Sequence, residues 1–377
     1  MPPLRIAAVQ QCDFPDALPR TPPAMTLLPD ARCTLAERAD ADEIIDARSP
    51  AEFAEDHLPG ARNCPVLNDE ERAAVGTLYQ NSPFEARKVG AAMVARHLAQ
   101  YLDHEFADRP KSWRPLVYCW RGGMRSASFV TWLRLIGWRA TQLAGGYKTW
   151  RNHVLQTLDE QPPRYHWRVI CGPTGSAKTR LLTALAACGE QTLDLEALAA
   201  HKGSVLGALP DTPQPSQKAF ETQLSETLVA LDPTRPVYVE AESRKIGRVA
   251  LPNALIDAMR NADCLELSPS PEVRLRYLLD DYAYLGQNPQ DLCAQLERLR
   301  GFIDNAALTR WQQWAQEGNL PELFAELLTH HYDPLYAHSQ YRHFNKLHHA
   351  PRFHPDDLSE AALAALAEKI VGRYSGT

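Results

Sequence analysis

A thiol, two arginines and two adjacent glycines are clustered in the octapeptide Cys-Trp-Arg-Gly-Gly-Met-Arg-Ser, which begins at Cys119. Backbone N–H groups of a loop that leads into a helix favour a thiolate and hold anionic groups. Arg121 and Arg125 add positive charge to the same place. Gly122 and Gly123 let the backbone curve around a ligand without Cβ clashes. Cys119 is therefore predicted to be a nucleophile and not a structural cysteine.

The spacing of this cysteine loop leaves its substrate open. From Cys119 to Ser126 the pattern is C-x-x-G-x-x-R-S, which is typical of the phosphate-cradling loop of cysteine phosphatases. Five residues separate Cys119 from Arg125, one more than a simple sulfurtransferase loop is expected to have. The wider loop suits a tetrahedral, phosphate-bearing substrate.

A second loop, Gly172–Thr179, matches the phosphate-binding pattern G-x-x-x-x-G-K-[ST] except that Ala177 replaces a glycine. In such loops backbone N–H groups cradle phosphates, the lysine reaches their outer oxygens, and the hydroxyl ligates Mg²⁺ when the metal is present. We predict a phosphate or diphosphate site, although the added Cβ puts nucleotide hydrolysis in question. The predicted binding residues are Gly172, Thr174, Gly175, Ser176, Lys178 and Thr179.

Acidic residues follow two later strand-like segments. Asp194 and Glu196 come after one apolar run, and Glu240 follows the run 237–239 in the position of a metal-supporting acid. Surface carboxylates are the competing interpretation for Asp194, Glu196 and Glu242. The paired histidines have no cysteine or acid at ligand spacing, so no metal site is predicted there. No tightly bound cofactor is expected, and the phosphate loop is the one place where Mg²⁺ is considered.

Composition excludes several classes of protein. The chain has 377 residues, of which 45% are hydrophobic and 23% charged, which is unlike collagen-like or mostly disordered chains. It has no apolar run long enough for a transmembrane helix and no signal-peptide pattern at its start. The eight cysteines form no C-x-x-C pair and are expected to be reduced thiols of a cytoplasmic protein.

Charge is unevenly distributed along the chain. The net charge is −6, but residues 109–168 contain eleven Lys and Arg and only two acids, an excess of about +9. Because binding of a polyanion follows the local field, this segment predicts a face for a polyanion. A solvated surface with uneven charge is the alternative.

The elements that must position both loops alternate between strands and helices. Apolar runs at 44–47, 116–118 and 167–171 predict buried strands, and helical patterns follow them, which favours parallel sheets covered by helices. Ser49 and Glu52 form a capping box with Pro50, and predict a helix start. Further helices are predicted near 85–102 and after the cysteine loop, where Phe129, Trp132, Leu133 and Ile136 mark the apolar side.

We divide the chain at its changes in composition. The predicted parts are a Pro-rich leader over 1–40, an α/β domain over 41–158, a linker over 159–166 and a second α/β domain over 167–377 with a helical C-terminal region.

Two sets of motifs resemble known families. Asp46-Ala47-Arg48, Glu52-Phe53 and the run His57–Asn63, followed by the cysteine loop, resemble the rhodanese domain. The full ordered set over about 44–345 resembles the tRNA 2-selenouridine synthase family. Its further segments are 68–79, 145–148, 193–196, 201–204, 239–247 and 332–336.

The resemblance implies a rhodanese-like domain joined to a P-loop NTPase-like domain. It implies a transferase that replaces the sulfur of wobble 2-thiouridine in tRNA with selenium from selenophosphate, through a geranylated intermediate made with geranyl diphosphate. Cys119 would carry selenium as a perselenide, Arg125 would hold the phosphate of selenophosphate, and the loop 172–179 would hold the prenyl diphosphate. Expected tRNA contacts are Trp120, Arg134, Arg139, Lys148 and Arg151; a weaker basic set is His343, Lys346, His348, His349 and Arg352.

The sequence leaves two other functions open. A cysteine phosphatase or thiosulfate sulfurtransferase with a regulatory P-loop domain would act on small substrates without tRNA. A P-loop kinase whose rhodanese-like half only binds partners would turn over ATP, and would need Lys178 but not Cys119.

Overall fold

The computed structural model describes residues 31–374, so residues 1–30 of the predicted leader lie outside the described residues. The first half is built on a parallel sheet with the order β1-β5-β4-β2-β3. Its strands are β1 Arg32–Cys33, β2 Glu43–Asp46, β3 Ala61–Asn63, β4 Pro115–Tyr118 and β5 Thr141–Leu143. Its helices are α1 Pro50–Glu55, α2 Asp69–Asn81, α3 Pro83–Gln100, α4 Met124–Ile136 and α5 Tyr147–Glu160.

The helix predictions for this half hold with one correction. Helix α1 begins at Pro50 with the predicted capping box, and α3 covers the predicted helix near 85–102. In α4, Phe129 and Leu133 are buried, but Trp132 and Ile136 are 46% and 51% exposed. The predicted apolar side is therefore displaced, because the buried stripe of α4 consists of Ser126, Phe129, Val130 and Leu133.

The predicted leader ends too late. Residues 36–40 form a 3₁₀ turn, and β1 pairs in parallel with β5, so that Cys33 lies opposite Leu143. Ala31 and Cys33 are buried. Residues 31–40 thus belong to the first α/β unit, since a two-residue strand paired at a sheet edge has too little periodicity to be recognised in sequence.

The second half has a parallel sheet with the order β12-β11-β6-β8-β7 and a separate antiparallel pair, β9 and β10. The strands are β6 His166–Cys171, β7 Gln191–Leu193, β8 Pro236–Glu240, β9 Lys245–Ile246, β10 Val249–Ala250, β11 Asp263–Leu267 and β12 Arg352–Phe353. The helices are α6 Lys178–Ala187, α7 Leu195–Ala199, α8 Gln217–Ala230, α9 Asn253–Arg260, α10 Pro271–Asp281, α11 Pro289–Glu297, α12 Asn305–Glu317, α13 Leu320–Leu327, α14 Asp333–His343 and α15 Glu360–Tyr374. The predicted α/β class and the helical C-terminal region are confirmed.

One hydrophobic core joins the halves. Trp150 of α5 belongs to the same cluster of buried side chains as Phe220 and Leu224 of α8. The predicted linker is part of this packing, because residues 162–164 form a 3₁₀ turn and the buried Pro162 accepts a 2.8 Å hydrogen bond from the Trp167 indole. Between residues 31 and 374, all seven cysteines are free thiols. No helix in that range is long and apolar enough to cross a bilayer.

Candidate functional site

The cysteine loop connects strand β4 to helix α4, as its sequence predicts. Cys119 is 3% exposed. The backbone N–H of Gly123 lies 3.2 Å from the Cys119 sulfur, and the Ser126 hydroxyl lies 3.0 Å from it. Two donors therefore point at one sulfur atom, an arrangement that stabilises negative charge on it.

A glutamine from the neighbouring strand supports this arrangement. The buried Gln142 side chain donates to the Ser126 hydroxyl oxygen at 2.8 Å and to the Gly123 carbonyl at 3.1 Å. Because the serine oxygen accepts from the amide, its own proton is free to point at the Cys119 sulfur. Sequence reasoning missed Gln142, since only the pairing of β4 with β5 brings it to the loop.

The glycine turn before α5 holds the other side of the loop. Gly146 has φ +60°, and a Cβ there would lie 2.2 Å from the Cys119 carbonyl oxygen. The amides of Tyr147 and Lys148 donate to the carbonyls of Cys119 at 2.8 Å and Trp120 at 3.0 Å. The motif Gly145-Gly146-Tyr147-Lys148 is thus a backbone clamp on the cysteine loop.

The two arginines of the loop differ in their surroundings. Arg121 is exposed, whereas Arg125 pairs with the Glu52 carboxylate at 2.6 Å. Burial favours neutral Glu52, but the Arg125 guanidinium holds the pKa of this carboxyl below its usual value. The predicted anion contact of Arg125 therefore already has an internal carboxylate partner, which sequence reasoning did not identify.

The phosphate loop connects β6 to α6. The Lys178 ammonium group donates to the carbonyls of Gly172 at 3.1 Å and Pro173 at 3.3 Å, so it is folded back onto its own loop. Gln340 of α14 exchanges two hydrogen bonds with the backbone of Gly172. Arg274, which pairs with an aspartate on α14, donates to the carbonyl of Thr174 at 2.9 Å.

Ala177 occupies a position that favours glycine. Its φ is 58° and its ψ 34°, in the left-handed region, at the first turn of α6. An alanine pays roughly 1 kcal/mol for this conformation. The loop still connects β6 to α6 in spite of the departure from the pattern, and the buried Ala177 methyl contributes to the core beneath it.

Three carboxylates converge beside the phosphate loop. Oxygen atoms of Glu196, Glu240 and Glu242 lie within 4.8 Å of one another. The Thr179 hydroxyl donates to Glu196 at 3.2 Å. Glu196 and Glu242 are half-buried, so the interpretation as surface carboxylates is wrong for both. Asp194 is also half-buried and lines the same cavity, and its carboxylate caps α7 through the amide of Ala197.

Burial and mutual repulsion weaken the acidity of this cluster. They raise the pKa of Glu196 to about 9 and that of Glu242 to about 8, while burial raises the pKa of Glu240 to about 7. One oxygen of Glu240 is buried and has no hydrogen-bond partner among the described residues. Hard oxygen ligands with an unsatisfied atom fit Mg²⁺, which the sequence associates with this loop only through the hydroxyl of Thr179.

The carboxylates and the loop share a cavity of about 260 Å³. Lys202 lies at its edge, paired with Asp281 at 2.6 Å and 4.5 Å from the Tyr282 ring. Tyr277 and Tyr336 also line it. The cavity therefore offers cations and loop amides for phosphates, carboxylates for a cation, and aromatic walls for an apolar group.

The predicted tRNA contacts do not form one free surface. Arg139 and Lys148 are exposed, and Arg134 donates to the carbonyl of Ala140. The Trp120 ring lies 5.2 Å from the Tyr147 ring, and Arg151 forms a largely buried ion pair with Glu221 of α8. Arg151 thus joins the two halves.

Ion pairs also reduce the basic excess of residues 109–168. Four acids from outside the segment neutralise cations within it, in the pairs Arg109–Glu43, Arg114–Asp42, Arg125–Glu52 and Arg151–Glu221. The local excess falls from about nine charges to about five. The charge count from sequence overestimated the positive electrostatic field of this segment, because the acids that neutralise its arginines come from other parts of the chain.

Comparisons with known proteins agree with both halves. The rhodanese-like domain model matches residues 34–153, and the model of the tRNA 2-selenouridine synthase AAA domain matches residues 165–302. The tRNA 2-selenouridine synthase of Nitrosomonas europaea is 40% identical over 248 residues, which cover 63% of each chain. That of Bdellovibrio bacteriovorus is 36% identical, over 63% of this chain and 64% of the relative.

These two alignments span slightly less than two thirds of the relatives' lengths. A longer one joins both halves: the tRNA 2-selenouridine synthase of Marinobacter nauticus is 31% identical over 349 residues, 80% of this chain and 92% of that protein. The order of the two domains and the identity across both therefore place the chain in the tRNA 2-selenouridine synthase family.

Proposed function

We propose that the chain is a transferase that converts wobble 2-thiouridine of tRNA to 2-selenouridine in two steps. One observation carries the proposal. The first half has a buried thiol with two hydrogen-bond donors at the carboxyl end of its parallel sheet. The second half has a phosphate loop with three carboxylates at the carboxyl end of its own sheet, and the two halves share one core. A single-step sulfurtransferase or kinase needs only one of these sites.

The phosphate-loop cavity takes geranyl diphosphate in the first step. The loop amides and Lys178, released from its carbonyls, hold the diphosphate, and Tyr277 and Tyr282 line the side for the apolar chain. The thiouridine sulfur attacks C1 of the geranyl group, the C1–O bond breaks, the diphosphate leaves with the electron pair, and the base loses its N3 proton. This use of the loop needs no nucleotide hydrolysis.

Thr179 and the three glutamates are the side chains that would hold Mg²⁺ in this cavity. When bound, the ion would stabilise the charge of the departing diphosphate. The protein's own contribution is the loop amides that have no partner among the described residues, together with Lys178 once its ammonium group leaves the carbonyls of Gly172 and Pro173.

Cys119 serves the second step, in which selenium replaces the alkylated sulfur. Its thiolate attacks the phosphorus of selenophosphate and the Se–P bond breaks, which releases selenide. The selenide adds to C2 of the base, the C2–S bond breaks and the prenyl thiol leaves, and water hydrolyses the phosphocysteine to free thiol and phosphate. The phosphate group of selenophosphate competes with Glu52 for Arg125, and the exposed Arg121 adds a second cation.

The test is nucleoside mass spectrometry of tRNA from a host that lacks its own enzyme and is grown with selenite. We expect 2-selenouridine with the intact chain and with the control variants Cys188→Ala and Lys369→Ala, which change exposed residues. Cys119→Ala should accumulate geranylated thiouridine, and Lys178→Ala should leave 2-thiouridine unchanged.

Other outcomes identify the alternatives. Absence of selenouridine with well-expressed protein, in a host that makes selenophosphate, would rule out the proposal. Release of phosphate or thiocyanate from small substrates would then support the phosphatase or sulfurtransferase reading. ATP turnover that needs Lys178 and survives Cys119→Ala would support the kinase.

A further inference from the structure

A second pocket, of about 390 Å³, adjoins the phosphate-loop cavity. Glu242 and Tyr336 line both, so the two spaces share a wall. The second pocket lies beyond the carboxyl end of β8, between the segment that follows this strand, the end of α9 and helix α14. The carboxyl ends of parallel strands are the usual place for ligands in open α/β sheets. Its volume is within the range of small-molecule sites.

Among the described side chains, the cations that line this pocket have no acidic partner. Arg244 donates only to the neutral Asn253 side chain, and no hydrogen bond or ion pair of the Arg260 side chain occurs within residues 31–374. His343 adds an imidazole, which contacts the hydroxyl of Ser339. Glu242 is the only acidic side chain that lines this pocket in the described chain. Two unpaired arginines beside one carboxyl group favour an anionic ligand.

An aromatic ring stands between the pocket and the phosphate loop. The Tyr336 ring lies 5.7 Å from the Lys178 ammonium group. Unpaired RNA bases are bound by stacking on aromatic side chains, and their phosphates by arginine. A base on the pocket side of this ring would be a neighbour of a diphosphate on the Lys178 side.

We propose that this space, the acceptor pocket, binds the unpaired nucleotide of RNA that receives the prenyl group. The base stacks on Tyr336 with its sulfur towards the phosphate-loop cavity, and Arg244 and Arg260 hold the adjoining backbone phosphates. The inference rests on the proposed function and locates its acceptor. It also explains why the family-like segments 239–247 and 332–336 lie so close to the phosphate loop.

The first experiment measures binding and transfer with the purified full chain. An anticodon stem-loop RNA carrying 2-thiouridine and geranyl diphosphate are the probes. For Arg244→Ala/Arg260→Ala we expect the KM for RNA to rise at least tenfold, with an unchanged Kd for geranyl diphosphate. The salt slope of RNA binding, measured by fluorescence anisotropy, should fall by about 2.

Matched variants separate this site from general charge effects. Lys369→Ala/Arg373→Ala removes two exposed cations from α15 and should leave both constants unchanged. Arg244→Lys/Arg260→Lys keeps the charge and should recover most of the binding, which guards against misfolding. Tyr336→Phe should retain the KM for RNA, whereas Tyr336→Ala should raise it severalfold.

Cross-linking places the base. A stem-loop with 5-iodouridine at the wobble position should cross-link to Tyr336 on irradiation. Cross-linking confined to the cysteine loop, or a KM and salt slope for Arg244→Ala/Arg260→Ala equal to those of the α15 control, would overturn the acceptor pocket. If the intact chain transfers no prenyl group while the two arginines still govern RNA binding, the proposed function fails and the RNA site stands.

Discussion

At the scale of single residues, the environment of the Cys119 sulfur depends on a short chain of hydrogen bonds. Gln142 orients Ser126, and Ser126 donates to the sulfur. A hydrogen bond to a charged group contributes about 1.5–3 kcal/mol. We therefore treat Gln142 as a positioning residue whose loss acts through the serine.

Alkylation of the thiol tests this role. Ser126→Ala should slow the alkylation of Cys119 by iodoacetamide at fixed pH by roughly tenfold or more, as the free energy of one such bond implies. Gln142→Met should slow it by a smaller factor. Peptide mass spectrometry follows the reaction, with the exposed Cys188 as the internal reference. Equal rates in Ser126→Ala and the intact chain would contradict the role of the hydroxyl.

The three glutamates make stability depend on pH. Burial raises the pKa of Glu242 from 4.5 to about 8, so the folded chain holds a proton that the unfolded chain has lost. The stability that the folded chain has from protonated Glu242 is complete below about pH 4.5 and is lost as pH rises through 8. Glu242→Gln removes that linkage. The difference in Tm, variant minus intact chain, should grow by a few degrees from pH 6 to pH 9; a constant difference would contradict it.

Sequence alone identified the residues that lie next to each other along the chain. Cys119, Ser126 and Lys178 are recognisable because one loop brings the required groups together. Glu52 and Gln142 are distant in sequence and reach the sulfur site only through folding, so local patterns carried no signal for them. Sequence offers Glu242 as an acidic candidate but does not distinguish it from a surface carboxylate, because nothing in sequence places it beside Glu196.

At the scale of elements, the glycine turn between β5 and α5 controls the cysteine loop. Gly146→Ala would combine a left-handed backbone with a contact far closer than atoms allow. We expect a loss of about 3 kcal/mol or more in the free energy of unfolding. Gly189 is the matched control, since it has φ +86° and open space around its Cα.

Chemical denaturation distinguishes the two glycines. Gly189→Ala should lower the free energy of unfolding by only about 1 kcal/mol, because the positive φ is its sole unfavourable feature. Similar losses for both variants would show that crowding against the Cys119 carbonyl is unimportant. The strands and helices that carry both loops followed from sequence periodicity, whereas β1 and the turn at 162–164 were too short for it.

At the scale of the molecule, the contact between α5 and α8 joins two units that sequence analysis separates with a linker. Arg151 and Glu221 are 17% and 16% exposed at this contact. Breaking a buried pair from one side leaves an uncompensated charge. We predict that Glu221→Ala destabilises the chain by about 3 kcal/mol, and that Arg151→Met/Glu221→Met costs less than Glu221→Ala.

Calorimetry and denaturation of the full chain measure this coupling. The intact protein should unfold in one transition, because the shared core includes buried residues of both halves. Two well-separated transitions, or a Glu221→Ala variant as stable as the intact chain, would show that the halves are independent. The boundary at 159–166 was misleading because Pro162, which suggests a linker in sequence, is buried in the fold.

The common core has a consequence for how one uridine could meet both loops. Moving the halves apart would expose Trp150 and Phe220 to water. We therefore expect the protein to hold the cysteine loop and the phosphate loop in a fixed relative position. Under the proposed function, the RNA must therefore move: its wobble nucleotide leaves the phosphate loop of the protein and turns to the cysteine loop. The rate at which the prenylated nucleotide moves to the cysteine loop would then depend on the flexibility of the anticodon loop and not on a hinge in the enzyme.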